Sequence, residues 1–307
     1  MLIDTHAHLY FEQIKNQYED VLKRAVESGV GVIINIGVDV ERSRVALEQA
    51  LKIASSGTVR QLANDVIANG VKQSLKIYST IGIHPHDVEI YANNTQLLGQ
   101  HIAQLEKIYL ENPEKIVAVG ECGLDYYQPV ILNPPEADEG SRFFANAQND
   151  RNTQKLVLKA QINLAKKLNL PLSIHCREAH SASSGPSAWT EVLDYLQDTT
   201  GVLHCYSGDP EVTKKVLETN YYISFSGNLT YNKSEHLRDS AKIIPLEKIL
   251  IETDAPFLAP QSKRGQVNEP ANIKEVAECI ADIKGVSFEE IENQTTSNAM
   301  RLFNLKL

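Results

Sequence analysis

Asp4-Thr5-His6-Ala7-His8 stands directly behind the apolar Met1-Leu2-Ile3. Side chains alternate along a strand, so histidines at i and i+2 of an extended segment share one face. Two imidazoles on one face can grip a single metal ion. The pattern is weak by itself, because two satisfied core or surface histidines are the commoner explanation. Its meaning depends on further ligands of the right type elsewhere. Such residues recur along the chain: His84-Pro85-His86, Gly120-Glu121, His175 with Arg177, His204, and Glu252-Thr253-Asp254.

The elements that would position them can be read from periodicity. Strands are predicted at 1–5, 32–37, 77–83, 116–121, 171–176, 201–205, 221–226 and 248–253. Helical spacing occupies 18–28, 40–54, 95–110, 153–168, 187–197, 210–219 and 234–242, with a closing helical region at 271–304. Most strands are continuous apolar runs, which suits a parallel sheet covered on both faces. Pro171 stands at a strand entrance, where a missing N–H is tolerable. Eight strand–helix units in 307 residues predict one α/β domain over 1–307, a (β/α)8 TIM barrel with its active site at the C-terminal rim. Two segments stretch this pattern. Val59, Leu62, Val66 and Ile67 give 55–75 helical spacing before the third strand, on the N-terminal face. The second, 127–151, is rich in Pro, Asn and acids and reads as a loop insertion after the fourth strand. A loop of that length is either functional or disordered.

In that barrel, His6 and His8 end strand 1, Gly120-Glu121 ends strand 4, His175 strand 5, His204 strand 6, and Glu252-Thr253-Asp254 strand 8. Four histidines and at least two carboxylates at one rim point to divalent metal, with Mg, Mn, Zn, Co and Ni all compatible. Cys122, Cys176 and Cys205 each follow a ligand candidate, so alternation turns them toward the helix layer as small hydrophobes. A metal role for them is the sharper alternative.

Composition narrows the class. There is no apolar run of about 18 residues, so no membrane span is expected. No basic segment followed by an apolar one opens the chain, which argues against a secretory signal. None of the four cysteines forms a Cys-x-x-Cys pair, and a reducing cytoplasm is the expected compartment. The net charge of −9 leaves no global field to attract nucleic acid. A polyanionic substrate would need local cations or bound metal.

Taken together, Asp4-x-His6-x-His8-Leu9, Gly82-x-His84-Pro85-His86, Gly120-Glu121-x-Gly123-Leu124-Asp125-Tyr126-Tyr127, His175-x-Arg177, His204-x-Tyr206-Ser207-Gly208, Glu252-Thr253-Asp254-x-Pro256 and Arg264-Gly265-x-x-Asn268-x-Pro270 resemble the TatD-type metal-dependent deoxyribonucleases of the amidohydrolase superfamily. The motifs recur in order over essentially the whole chain. The 127–151 insertion looks longer than is usual there. The resemblance implies that His6, His8 and Asp254 hold one ion, and that Glu121 bridges to a second held by His175 and His204. Independently, two ions about 4 Å apart can share a hydroxide and clamp a phosphoryl oxygen. Metal coordination lowers the pKa of bound water toward about 7. Asp254 can orient that water or accept its proton; as a lone aspartate it would read as a loop cap.

The family pattern turns His84 to the site, to position phosphate or protonate the leaving oxygen. His86 is a turn residue or a partner behind the site. The planar fork of Arg177 suits phosphate, or it pairs with Glu178 or Asp254. Arg264 and Lys263 supply local positive charge, or form a solvated loop. Asn268 and Pro270 shape the start of the last helix. Ser207-Gly208-Asp209-Pro210 reads as a helix cap with Pro in the first turn. Tyr126 and Tyr127 either stack a base or pack within their loop.

The resulting expectation is a cytoplasmic, exonuclease-like DNase with two divalent ions, acting on single-stranded DNA or DNA ends, without a membrane or an obligate protein partner. One alternative keeps the metals and changes the bond to another ester or amide, as in aminoacyl-tRNA deacylation. Glu121, where a carboxylated lysine would bridge metals, argues against the lactonase-type branch. A metal-bound binding module is the non-enzymatic alternative. The acidic 129–139 stretch would contact a partner or repel long DNA.

Overall fold

Eight strands run parallel in sequence order: β1 (Leu2–Ala7), β2 (Val30–Asn35), β3 (Lys76–Ile81), β4 (Ile116–Asp125), β5 (Leu172–Arg177), β6 (Gly201–Leu203), β7 (Tyr221–Phe225) and β8 (Ile249–Ile251). The structure is a computed structural model that describes residues 1–55, 74–127, 137–178 and 187–306, with backbone alone along 53–55 and 137–149. The strands form a nearly closed TIM barrel. Every residue of β1, β2 and β4 is buried, as expected for strands packed on both faces.

Helices cover the outside. Tyr18–Glu27 buries Val21, Leu22, Ala25 and Val26, a stripe at helical spacing. The closing region is two helices, Ile273–Lys284 and Phe288–Phe303. Gly285 takes the left-handed conformation that ends the first, at φ 67°. Ser287 accepts the Glu290 N–H and caps the second. One correction concerns 127–151: a helix spans Ala137–Leu168, beginning well before the predicted 153. The prolines stop at Pro135, and nothing after them forbids helix. The rest of that segment, 128–136, and most of 55–75 lie outside the described residues.

The apolar interior has two parts. Leu2, Ile33, Ile77, Val119, Leu172, Ile223 and Ile249 pack between strands and helices. Ile3, Val32, Ile34, Tyr78, Val202 and Leu250 form a second cluster with Leu302, Phe303 and Leu305 from the chain's end. These are alternate strand residues, so the second cluster is the barrel's inner layer. Asn298 at its base donates to the Leu246 and Ile249 carbonyls at 2.7 and 2.8 Å.

Two strands slip register where site residues stand. On β1, Asp4 pairs with Ile33 but Ala7 with Asn35, so three steps oppose two. On β4, Val119 pairs with Leu172 and Cys122 with Ile174, again three against two. An extra residue of this kind re-aims the side chains that follow. Behind the second slip, Gly123 has φ 150°, and a Cβ there would lie 1.8 Å from the His175 carbonyl oxygen. Gly123→Ala is therefore expected to lower stability by about 2–4 kcal/mol in equilibrium denaturant unfolding. An unchanged midpoint and slope would contradict this close approach of β4 and β5.

Candidate active site

The seam between β8 and β1 assembles the first group. Asp254 N–H donates to the His6 carbonyl at 2.8 Å, and His8 N–H to the Ala255 carbonyl at 2.7 Å. Asp4 adds a side-chain clasp: its carboxylate accepts the Thr253 N–H at 3.0 Å and the Thr253 hydroxyl at 2.6 Å. The bonds that close the barrel thus fix His6, His8 and Asp254 relative to one another.

His6 Nε2 and His8 Nε2 approach to 3.3 Å. Glu121 Oε2 lies 3.4 and 3.7 Å from them, and Asp254 Oδ1 lies 3.6 and 3.5 Å away. Four ligand atoms with lone pairs converge with little to donate between them. A tetrahedral ion with bonds of about 2.0–2.1 Å has edges of about 3.3–3.4 Å. His6, His8 and Glu121 offer ligand atoms all within 4.8 Å of one another, as do His6, His204 and Asp254, so the donor set suits a divalent cation.

The other oxygen of Glu121 faces a second group. Oε1 lies 2.8 Å from His204 Nε2, 3.0 Å from His175 Nδ1 and 3.3 Å from His84 Nε2. His175 Nδ1 and His204 Nε2 are 3.2 Å apart. The His6 and His204 rings stack at 3.8 Å between centroids, joining the two groups. The structure therefore brings together all six predicted ligand residues, with His84 beside them. Glu121 is 3 % exposed and divides its two oxygens between the groups.

Charge follows from this crowding. Burial pushes the Glu121 carboxyl up, but His204, His84, His6 and the His175 hydrogen bond hold it well below the usual range. Burial lowers His204, but Glu121 and Glu252 outweigh it and raise the imidazole well above 6.5. His175 is raised too, by its bonds to Asp125 and Glu121 against burial. Burial lowers His84 to about 4 despite Glu121. Burial raises Asp4 to about 8, against its Thr253 hydrogen bonds.

Outer partners orient the rings. Asp125 Oδ2 accepts from His175 Nε2 at 3.0 Å and from His86 Nε2 at 2.8 Å. Glu252 Oε1 lies at an ion-pair distance of 3.4 Å from His204 Nδ1, without a hydrogen bond to it, and accepts the Cys205 N–H at 2.6 Å. Carboxylates behind ligating histidines fix ring orientation and basicity. The roles of Asp125 and Glu252 were missed in the sequence, although strand alternation puts Asp125 on the face of Glu121 and Glu252 on that of Asp254.

A cavity of about 670 Å³ opens above, lined among others by His8, Phe11, Arg42, His84, Arg177, Asn228, Asp254 and Phe257. Arg177 stacks on Tyr127, its guanidinium carbon 3.6 Å from the ring centroid. Arg264 stacks on Tyr231 at 4.3 Å and is not part of the cavity wall, while Lys263 donates to Asn272. Arg42 lines the wall instead, paired with Asp39 at 2.6 Å. Tyr126 is buried, hydrogen-bonded to Glu191 and covered by Arg151, so it packs and stacks no base. Asp209 caps the helix Pro210–Leu217 as predicted. Cys122 packs into the outer apolar cluster, and Cys176 belongs to that cluster while also touching the cavity wall. Cys205 does not follow them: β6 ends at Leu203, and Cys205 turns left-handed at φ 43° and lines the cavity.

The family model for TatD related DNase matches residues 3–304. The chain belongs to the TatD family of metal-dependent hydrolases. It is 33% identical to "Uncharacterized metal-dependent hydrolase YabD" of Bacillus subtilis over 99% of this chain and 100% of that one. It is 30% identical to "3'-5' ssDNA/RNA exonuclease TatD" of Erwinia tasmaniensis, over 99% of this chain and all of the relative. The crystal structure of YJJV, a TatD homolog from Escherichia coli, superposes with TM-score 0.75 at 24% identity, covering 99% of this chain and 98% of that one. That likeness shows the barrel. Among the described residues of this TatD chain, no helix is long and apolar enough to cross a membrane.

Two outcomes follow for the TatD site. Asp125→Asn is expected to weaken divalent-metal affinity about 10–100-fold in a chelator competition assay; unchanged affinity would remove Asp125 from the site's support. In the metal-free protein, raised His204 and His175 contribute stability fully present below pH 6.5 and lost as pH rises through their folded values. Asp4, raised to about 8, acts in the same direction. Thermal scans in EDTA should show the melting temperature falling as pH rises above 6.5. A flat or rising curve would contradict the charge assignment.

Proposed function

We propose that this TatD-family hydrolase cleaves phosphodiester bonds in nucleic acid, with single-stranded DNA or DNA ends as substrate and two divalent ions at its centre. The observation that carries the reading is the division of Glu121: Oε2 serves His6 and His8, and Oε1 serves His175 and His204. One carboxylate shared by two imidazole pairs suits two ions that act on one phosphoryl group. The relative named a single-strand exonuclease supports the substrate class. The cavity of about 670 Å³ accommodates a nucleotide.

Divalent ions held by His6, His8, Glu121, His175, His204 and Asp254 would supply Lewis acidity and a water of lowered pKa. The remaining chemistry falls to the chain. Asp254 reaches into the cavity and serves as proton acceptor for the attacking water. His84 Nδ1 accepts the His86 N–H at 3.1 Å, so the neutral ring carries its proton on Nε2. That N–H is aimed at the centre and donates to a phosphoryl or leaving oxygen. The exposed fork of Arg177 binds the non-bridging oxygens of the phosphate. Here lies the local positive charge that the net −9 lacks. Arg264 is assigned to more distant parts of the strand, because it stands outside the cavity wall.

Purified protein loaded with manganese should degrade an end-labelled single-stranded oligonucleotide, and EDTA should abolish the reaction. Glu121→Gln and Asp254→Asn should remain folded by circular dichroism while losing about 10²-fold or more in rate. Full cleavage by either variant would refute the reading. Cleavage of aminoacyl-tRNA or small esters without cleavage of DNA would move the assignment to another ester. Arg177→Lys should raise KM for the oligonucleotide about tenfold, with a smaller effect on kcat.

A further inference from the structure

The two ligand-bearing strand ends at the seam make the same local move. After His8 the chain turns, and Phe11 N–H donates back to the His8 carbonyl at 3.3 Å. After Asp254 it turns again, and Phe257 N–H donates to the Asp254 carbonyl at 2.9 Å. Each turn places a phenylalanine three residues beyond a site residue. The two rings meet edge to face, 5.4 Å between centroids and 79° between planes. Both pack edge-on to the His8 imidazole, at 5.3 and 6.1 Å. Tyr10 lies against Phe11 at 5.2 Å and 28°.

The turn that carries Phe257 is held firmly. Asn268 donates to the Thr253 carbonyl at 2.8 Å and to the Phe257 carbonyl at 2.7 Å. Asn272 in turn donates to Asn268 at 2.8 Å. A buried amide therefore pins both ends of the turn that carries Asp254 and Phe257. Despite this anchoring, Phe257 leaves 43 % of its surface exposed. Phe11 and Phe257 both line the cavity, whose other walls carry histidines, carboxylates and arginines. An apolar ring fixed at the mouth of a charged cavity is not needed to bury the core, and a flat apolar partner would cover it.

We propose that Phe257, backed by Phe11, is a stacking platform for the nucleobase next to the scissile phosphate. The inference rests on the nucleic-acid reading above and adds the base to it. The phosphate lies at the His6–His8–Asp254 group, and the base one sugar away lies on the ring that the same turn delivers. Every base has a π-face, so stacking holds any sequence. The platform thus grips the substrate without reading it, as an enzyme that moves along a strand requires. Asn268 acts as a positioning residue, through the turn it pins.

The test uses manganese-loaded full-length protein and a trinucleotide with hydrolysis-resistant phosphorothioate links and 2-aminopurine at one end or the other. An abasic counterpart serves as reference. Anisotropy of a distal dye reports binding, and 2-aminopurine emission reports stacking. Wild-type protein should bind and quench the probe at one of the two ends. Phe257→Ala should bind it about tenfold more weakly and leave it bright at saturation, so that preference over the abasic oligonucleotide collapses. Phe257→Trp should restore both quenching and preference. Asn268→Ala should reduce quenching while manganese content, measured by elemental analysis, is retained. Binding without quenching at either end, or equal preference in wild type and Phe257→Ala, would overturn the platform and leave the nuclease reading standing. Absence of any oligonucleotide binding by loaded wild type would overturn both. Circular dichroism checks the fold of each variant; Phe257 is half-exposed, so truncation leaves the core intact.

Discussion

A carboxylate at 3 % exposure inside a barrel is costly unless charge of the opposite sign surrounds it. Glu121 is that carboxylate, and much of the rim is arranged around it. Nitrogens of His6, His8, His84, His175 and His204 all lie within 3.7 Å of its oxygens. Removing the carboxylate would leave the imidazoles crowded against one another, and removing imidazoles would strand a buried charge. The arrangement is stable as a unit and poorly tolerant of loss in any part. In the metal-free chain the neighbouring carboxylates shift His175 and His204 toward their protonated forms. Cations would displace those protons, so metal affinity must rise with pH.

The scaffold meets this constraint with small departures from ideal geometry. Register slips on β1 and β4 bring His6, His8 and Glu121 to the inside at the correct height. The β8–β1 seam then locks Asp254 against them through backbone hydrogen bonds. Outward of these residues, Asp125 holds the His175 ring, Asp4 holds the strand end, and Glu252 lies 3.4 Å from the His204 ring. Each of these carboxylates belongs to the strand end or seam that also carries a site residue, so the site residues and the groups that position them are encoded together.

Much of this was legible in the sequence. Apolar runs and helical stretches alternated eightfold, and the residues at the strand ends were of ligand type. His6, His8, Glu121, His175 and His204 stood out from position, and the family resemblance chose Asp254 at the end of strand 8; the structure brings these six together. Strand alternation also placed Cys122 in the outer apolar cluster, and Cys176 there in part, since it also touches the cavity wall. It failed at Cys205 because β6 is only three residues long, and the chain leaves it before that position. The helix start at Ala137 was hidden because prolines and acids coloured the whole 127–151 stretch, although the prolines end at Pro135. Asp125 and Glu252 were passed over because their partners lie far away in the chain, at His175, His86 and His204. Phe11 and Phe257 carried no signal at all. An apolar residue in a turn reads as packing until its exposure beside a charged cavity is known.

The division of Glu121 between two cation sites is most directly tested by anomalous diffraction from manganese-soaked crystals. Two peaks are expected, one among His6, His8 and Asp254 and one beside His175 and His204, with Glu121 contributing a different oxygen to each. A single peak, or two peaks with Glu121 turned away from either, would contradict the bridging role on which the phosphodiesterase reading rests.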